Sequence, residues 1–135
     1  LPDLQRTNSW TQKVEEVAAG GRDGIGERLV RTVLGVWDSD LQPSLIAAIR
    51  TTLTDPALTR SVGEFLALEI IGHVLRRDDL PPEEANRRAG LAASQVLGLV
   101  IGRYVLQLPL LVSRRSEDLV LEVGPTVQRY LDGHI

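Results

Sequence analysis

Between Gly90 and Leu111 the chain is apolar almost without a break, and this stretch sets the narrowest limits on the fold. Its polar residues, Ser94, Gln95, Arg103 and Gln107, are scattered around a helix rather than gathered on one side. A surface helix keeps one polar face. A helix apolar nearly all round has to be covered twice, once by its own domain's core and once by something else. A membrane span is the poorer reading, because Arg103 and two glutamines interrupt the run. Within it Gly90, Ser94, Gly98 and Gly102 recur every fourth residue, on one helix face. Each interior glycine costs about 0.5–1 kcal/mol relative to alanine. Close approach of another backbone compensates that cost, either from the same chain or from a second copy.

The rest of the chain is punctuated like a helical bundle. Strand signals are nearly absent, and β-branched residues sit at helical spacing. A modest stripe over Pro2–Ala19 stops at Gly20-Gly21. Ile25–Trp37 aligns Ile25, Leu29, Val33, Val36 and Trp37, although Gly24 and Gly26 weaken its first turn. Leu41–Leu53 is a third helix with Asp40 as its cap and Pro43 in its first turn. Thr54-Asp55-Pro56 starts a fourth, running to about Arg77. Pro82-Glu83-Glu84 opens the longest helix, expected to reach Gln107 and to stop at Pro109; its acidic first turn suits the helix dipole. Ser116-Glu117-Asp118 opens the last, which Gly124-Pro125 is expected to interrupt and bend and Gly133 to end. The expectation is an all-α, antiparallel bundle of about six helices in one domain, residues 1–135.

The final helix carries Leu119, Val120, Val123, Val127, Tyr130 and Leu131 on a broad apolar face. Two antiparallel helices with surplus apolar surface, paired with their symmetry copies, make a four-helix interface around a twofold axis. The residues expected in that homodimer interface are Ser94, Gly98, Gly102, Leu106, Leu119, Val123, Val127 and Tyr130.

Composition narrows the function. The chain has 135 residues and a formal net charge of -3, which on average repels nucleic acid. It has no cysteine, so thiolate metal sites and disulfides are excluded. His73 lies one helical turn beyond Glu69 without a third ligand in view, and reads better as a hydrogen-bonded structural histidine than as a metal ligand. The pairs Glu15-Glu16, Asp78-Asp79 and Glu83-Glu84 point apart on helices or complement dipoles, so no acid–base set, catalytic residue or cofactor is expected. No signal peptide is visible in Leu1–Gln12, and a cytoplasmic location is expected. A chain that starts at Leu1 and holds no methionine is expected to continue a longer polypeptide.

Three runs carry a family resemblance: Ala93-Ser94-Gln95-Val96-Leu97-Gly98-Leu99, then Arg103-Tyr104-Val105-Leu106, then Val123-Gly124-Pro125-Thr126-Val127-Gln128-Arg129-Tyr130-Leu131. Their motifs and spacing resemble the closing helices of TetR-like transcriptional regulators. The Trp37 region and the Glu64-Phe65-Leu66 turn fit the same template more loosely. The resemblance implies a regulatory domain that dimerises and binds a small-molecule effector, in a regulator that is a repressor in the usual case. It also implies an amino-terminal helix-turn-helix domain, absent from this chain, through which alone the intact protein reaches operator DNA. The alternative is a structural homodimerisation module with no physiological ligand.

Ligand pockets are mostly apolar with a few convergent polar groups. Trp37, Phe65, Glu69, Gln95, Leu99 and Arg103 are the candidates for such a site, with ordinary core the competing reading for Trp37 and Phe65. A cation in an apolar stretch needs a partner. Arg103 pairs with Glu69, binds an anionic effector or bridges the dimer, and structural pairing leads.

Overall fold

The computed structural model describes residues 12–13, 15–17, 19–65 and 80–134. These residues are helical where they are regular, with no strand among them. A helical stretch within 12–19 precedes α1 (Ile25–Trp37), α2 (Gln42–Thr54), α3 (Pro56–Phe65), α4 (Pro82–Val100), a π-helical turn (Ile101–Val105), α5 (Pro109–Val112) and α6 (Ser116–Asp132). The parts of the expected first and fourth helices over 1–11 and 66–79 lie outside the described residues.

Local signals explain most boundaries. Asp55 Oδ1 accepts from the amides of Ala57 at 2.9 Å and Leu58 at 3.4 Å, which caps α3 at Pro56. Gly133 ends α6 at φ 81°, the left-handed conformation that glycine adopts without strain. Asp40 does not cap α2: the cap position falls on Leu41 and makes no side-chain bond.

Two other expectations need correction. Pro109 does not simply stop the long helix; it opens the short α5, where its missing N–H is harmless. The long helix itself leaves α-geometry at Ile101 and closes through π-type bonds, including Leu106 N–H to the Ile101 carbonyl at 2.8 Å. Gly124-Pro125 does not divide α6, which runs unbroken from Ser116 to Asp132. Leu121 and Pro125 are both exposed, so the carbonyl deprived of its helical partner by the proline sits on the solvent side.

The core lies where α1 crosses α6 and α4 packs alongside α6. Leu29, Val30 and Leu34 of α1 meet Leu119, Val120, Val127 and Leu131 of α6, with Ala89, Ala92, Leu99 and Val100 of α4 closing the cluster. All eleven side chains are buried. The broad apolar face of the last helix is therefore mainly core. By contrast, α2 buries no residue completely and packs chiefly against α3.

One backbone contact fixes the crossing. A Cβ at Gly26 would run into the Gly124 carbonyl oxygen and sit 2.6 Å from the Gln128 nitrogen. A Cβ at Gly124 would sit 3.0 Å from the Glu27 Cα and 2.6 Å from its Cγ. The two glycines thus permit an approach that no larger residue allows. Gln128 exploits it: its Oε1 accepts from the Gly26 amide at 2.7 Å, satisfying one of the free donors at the start of α1.

Gly26→Ala and Gly124→Ala should each destabilise the fold by about 1–3 kcal/mol in urea denaturation, since the obstructing atoms are mostly backbone. Gly35→Ala is the control. It adds a methyl in open space on α1 and should raise stability by roughly 0.5–1 kcal/mol.

Candidate functional site

At the C-terminal end of α1 the chain gathers a group of aromatic and polar side chains. Asp38, just past the helix, faces the π turn and the start of α6. Tyr104 donates its hydroxyl to Asp38 Oδ1 at 2.7 Å, and Ser116 donates to Asp38 Oδ2. The Tyr104 ring stacks on Trp37 with centroids 5.3 Å apart. Arg103, the neighbouring residue, donates to the carbonyls of Leu111 at 2.6 Å and Arg114 at 2.7 Å, and to Ser116 Oγ at 3.2 Å. Ser116 is consequently a relay, accepting from a cation and donating to a carboxylate.

Helix polarity explains part of this arrangement. Leu111 lies in the single turn of α5, whose carbonyls have no further helix to bond, and a guanidinium is suited to such an end. Asp38 has the opposite problem, being a carboxylate at a helix C-terminus where the dipole opposes it. Two hydroxyl donors offset that penalty. Burial raises the Tyr104 phenol well above its ordinary 10.0, and the hydrogen bond and charge of Asp38 push the same way against Arg103.

Of the six residues expected to line a ligand site, Trp37 and Arg103 lie in this group. Trp37 is half-buried against the core, Leu99 is buried in it, and Arg103 is half-buried. Gln95 is half-buried on α4. The Phe65 side chain and Glu69 lie outside the described residues, as does His73. Arg103 does find structural partners, although in the described residues these are carbonyls and a hydroxyl, not a carboxylate. Tyr104, Asp38 and Ser116 were not among the expected site residues. Tyr104 was visible as an aromatic beside the cation; nothing local distinguishes Asp38 from any other helix-end carboxylate.

The expected interface residues divide into three sets. Ser94, Gly98 and Leu106 are exposed, Leu106 by 65%. Val123 and Tyr130 are half-buried. Gly102, Leu119 and Val127 are buried within the chain, which leaves their surface little to offer a partner. Gly102 faces Leu111 and Leu108, whose methyl carbons would lie 2.8 and 3.3 Å from an added Cβ. Gly90 and Gly98 face open space, so no helix of the described chain packs against that part of the stripe. Leu97 and Leu121 stand exposed by 44% and 53% on α4 and α6.

Residues 23–131 match the family of tetracyclin repressor-like C-terminal domains. A solved TetR-family regulator from Streptomyces coelicolor A3 is similar over 96% of this chain and 88% of that one, at 31% identity and a TM-score of 0.53. The chain therefore belongs to the TetR-like family of transcription regulators, and it carries that family's C-terminal domain. Comparison with curated proteins gave no match. No helix among the described residues is long and apolar enough to cross a membrane.

Tyr104→Phe should lower stability at pH 7 by about 1.5–3 kcal/mol, the range for a hydrogen bond to a charged group. The pH dependence has a definite sign. Above pH 10 the unfolded chain ionises Tyr104 while the folded chain keeps it neutral, so the wild type loses stability as pH rises. The stability gap between wild type and Tyr104→Phe should narrow by up to ~1.4 kcal/mol per pH unit there. Urea denaturation at pH 7, 9, 10 and 11 measures it.

Proposed function

We propose that this domain is the dimerising, effector-sensing part of a TetR-like transcriptional regulator, a repressor in the usual case. A helix-turn-helix domain outside this chain reads the operator. The observation that carries the dimer reading is the unpartnered outer side of α4 and α6. No atom of the described residues lies within 4 Å of an added Cβ at Gly90 or Gly98, and Leu97 of α4 and Leu121 of α6 are exposed. Scattered exposed leucines are ordinary on a protein surface. Exposed leucines beside interior helix glycines that no part of the described chain covers are better suited to a facing helix. A second copy of the same two helices supplies one under twofold symmetry.

The sensing reading rests on family membership and on the Trp37–Tyr104 pair, an aromatic stack beside the polar group around Asp38. An effector acts by binding one arrangement of the helices better than another, and that difference repositions the DNA-reading heads. The competing reading, a structural dimerisation module without a ligand, shares the interface and lacks the binding site. The family's members are transcription regulators, and no step of bond chemistry enters either reading.

Light scattering after size exclusion should give about twice the 14.8 kDa chain mass at micromolar concentration. Gly98→Glu should return a monomer with unchanged far-ultraviolet circular dichroism, because none of the described residues approaches the position of its added Cβ. A wild type that elutes as a monomer removes the dimer reading. Effector binding is tested by thermal unfolding against a metabolite library. A compound at 100 times its Kd stabilises the native state by about 2.7 kcal/mol, and a library without a single shift favours the structural module.

A further inference from the structure

The aromatic–polar group at the end of α1 also controls the segment between the π turn and α6. From Leu106 to Val112 that segment presents mostly exposed apolar side chains: Leu106 at 65%, Leu108 at 46%, Leu110 at 75% and Val112 at 50%. Leu111 alone is half-buried, packed against the core. The backbone here departs from regular geometry twice. It passes through the π turn, and Gln107 then adopts φ 53°, a left-handed conformation unfavourable to a residue with a side chain. Such geometry persists where the surroundings over-determine it.

The surroundings do so through one carboxylate. Asp38 takes Tyr104 from inside the π turn and Ser116 from the first residue of α6. Ser116 takes Arg103, and Arg103 takes the carbonyls at both ends of the connection from α5 to α6. Gly102 completes the seat, lying bare beneath Leu108 and Leu111. Asp38, itself exposed, thus reaches the segment through the hydroxyls of Tyr104 and Ser116, and Arg103 joins Ser116 to the carbonyls of Leu111 and Arg114. A neutral or cationic side chain would suit a helix C-terminus better than a carboxylate. Asp38 is explained by the tethers it holds and not by the helix it ends.

We propose that Asp38 is a positioning residue for self-association: by holding the π turn and α5, it aims Leu106, Leu108 and Leu110 as an apolar extension of the α4–α6 surface that receives the second copy. The inference rests on the dimer reading above and adds to it the side chain that sets this part of the interface. Asp38 itself contacts no partner and acts through Tyr104, Ser116 and Arg103.

The test compares wild type with Asp38→Ala, Ser116→Ala and Asp38→Asn by amide hydrogen exchange and by sedimentation equilibrium. In Asp38→Ala the Leu106 and Leu108 amides, which bond to Ile101 and Gly102, should exchange at least ten times faster. The amides of Leu29 and Val30 in the α1 core should keep their rates. The dimer Kd should rise about tenfold. Ser116→Ala should do the same more weakly, and Asp38→Asn, which keeps one acceptor oxygen, should fall between wild type and alanine. Unchanged exchange at Leu106 and Leu108, or an increase shared equally by the α1 core, overturns the tether. Faster local exchange with an unchanged dimer Kd overturns the role in association. A wild type that is monomeric at every concentration overturns the dimer reading and this role with it, and the exchange data then still report whether the tether exists.

Discussion

Where α1 crosses α6, Gly26 and Gly124 let two helix backbones meet at distances that even a methyl group would forbid. Much of the described fold follows from this approach. It brings the side chain of Gln128 within reach of the first amides of α1, and it sets Arg22 beside the C-terminal end of α6. Arg22 reaches both the Leu131 carbonyl and Asp132, and Arg88 of α4 reaches the same carbonyl. Chain positions about a hundred residues apart are thereby tied by polar bonds around an apolar contact. The hydrophobic cluster behind it supplies non-directional attraction, which favours contact without fixing register. The glycine pair and the Gln128 cap supply the register.

At the other end of the same two helices the closure is polar. Asp38 at the end of α1 and Ser116 at the start of α6 meet through hydroxyl and guanidinium bonds. Both ends of the α1–α6 pair are therefore pinned, one by absence of side chains and one by a network of them. The ion pair between Arg31 and Glu117 lies on the surface in between, where an exposed pair adds little. Among the described residues α2 and α3 pack mainly on each other, and α2 buries no side chain completely.

Local chemistry made most of the helices legible in the sequence. Asp55-Pro56, Pro82-Glu83-Glu84 and Gly133 mark ends by capping, proline tolerance and left-handed backbone, each an effect within one turn of chain. The readings that failed concern partners far along the chain. Gly124 beside Pro125 looked like an interruption because its reason, Gly26, lies about a hundred positions earlier. Pro109 reads equally well as a stop or as a first helical residue, and the π turn before it decides which. For Arg103 the need for a partner was legible from its apolar neighbours. The identity of that partner was not, since backbone carbonyls carry no sequence signal. Asp38 was hidden because the hydroxyls it meets, those of Tyr104 and Ser116, lie 66 and 78 positions further along the chain, and the burial of Leu119 and Val127 in the core was not legible because periodicity shows a face without showing what covers it.

The glycines of this chain separate two demands that look alike in sequence. Gly26 and Gly124 are answered within the fold, each filled by the other helix. Gly102 is answered by Leu108 and Leu111, which the π turn and α5 fold back over it. Gly90 and Gly98, on the same face of the long helix as Gly102 by simple spacing, are answered by nothing in the described chain. Among the described residues these two glycines gain no packing, and they cost helix stability. That imbalance, together with the leucines exposed beside them, is the physical argument for a facing helix. It attaches to the outer side of α4 and to the exposed side of α6 that carries Leu121, while the opposite, apolar stripe of α6 is engaged in the core.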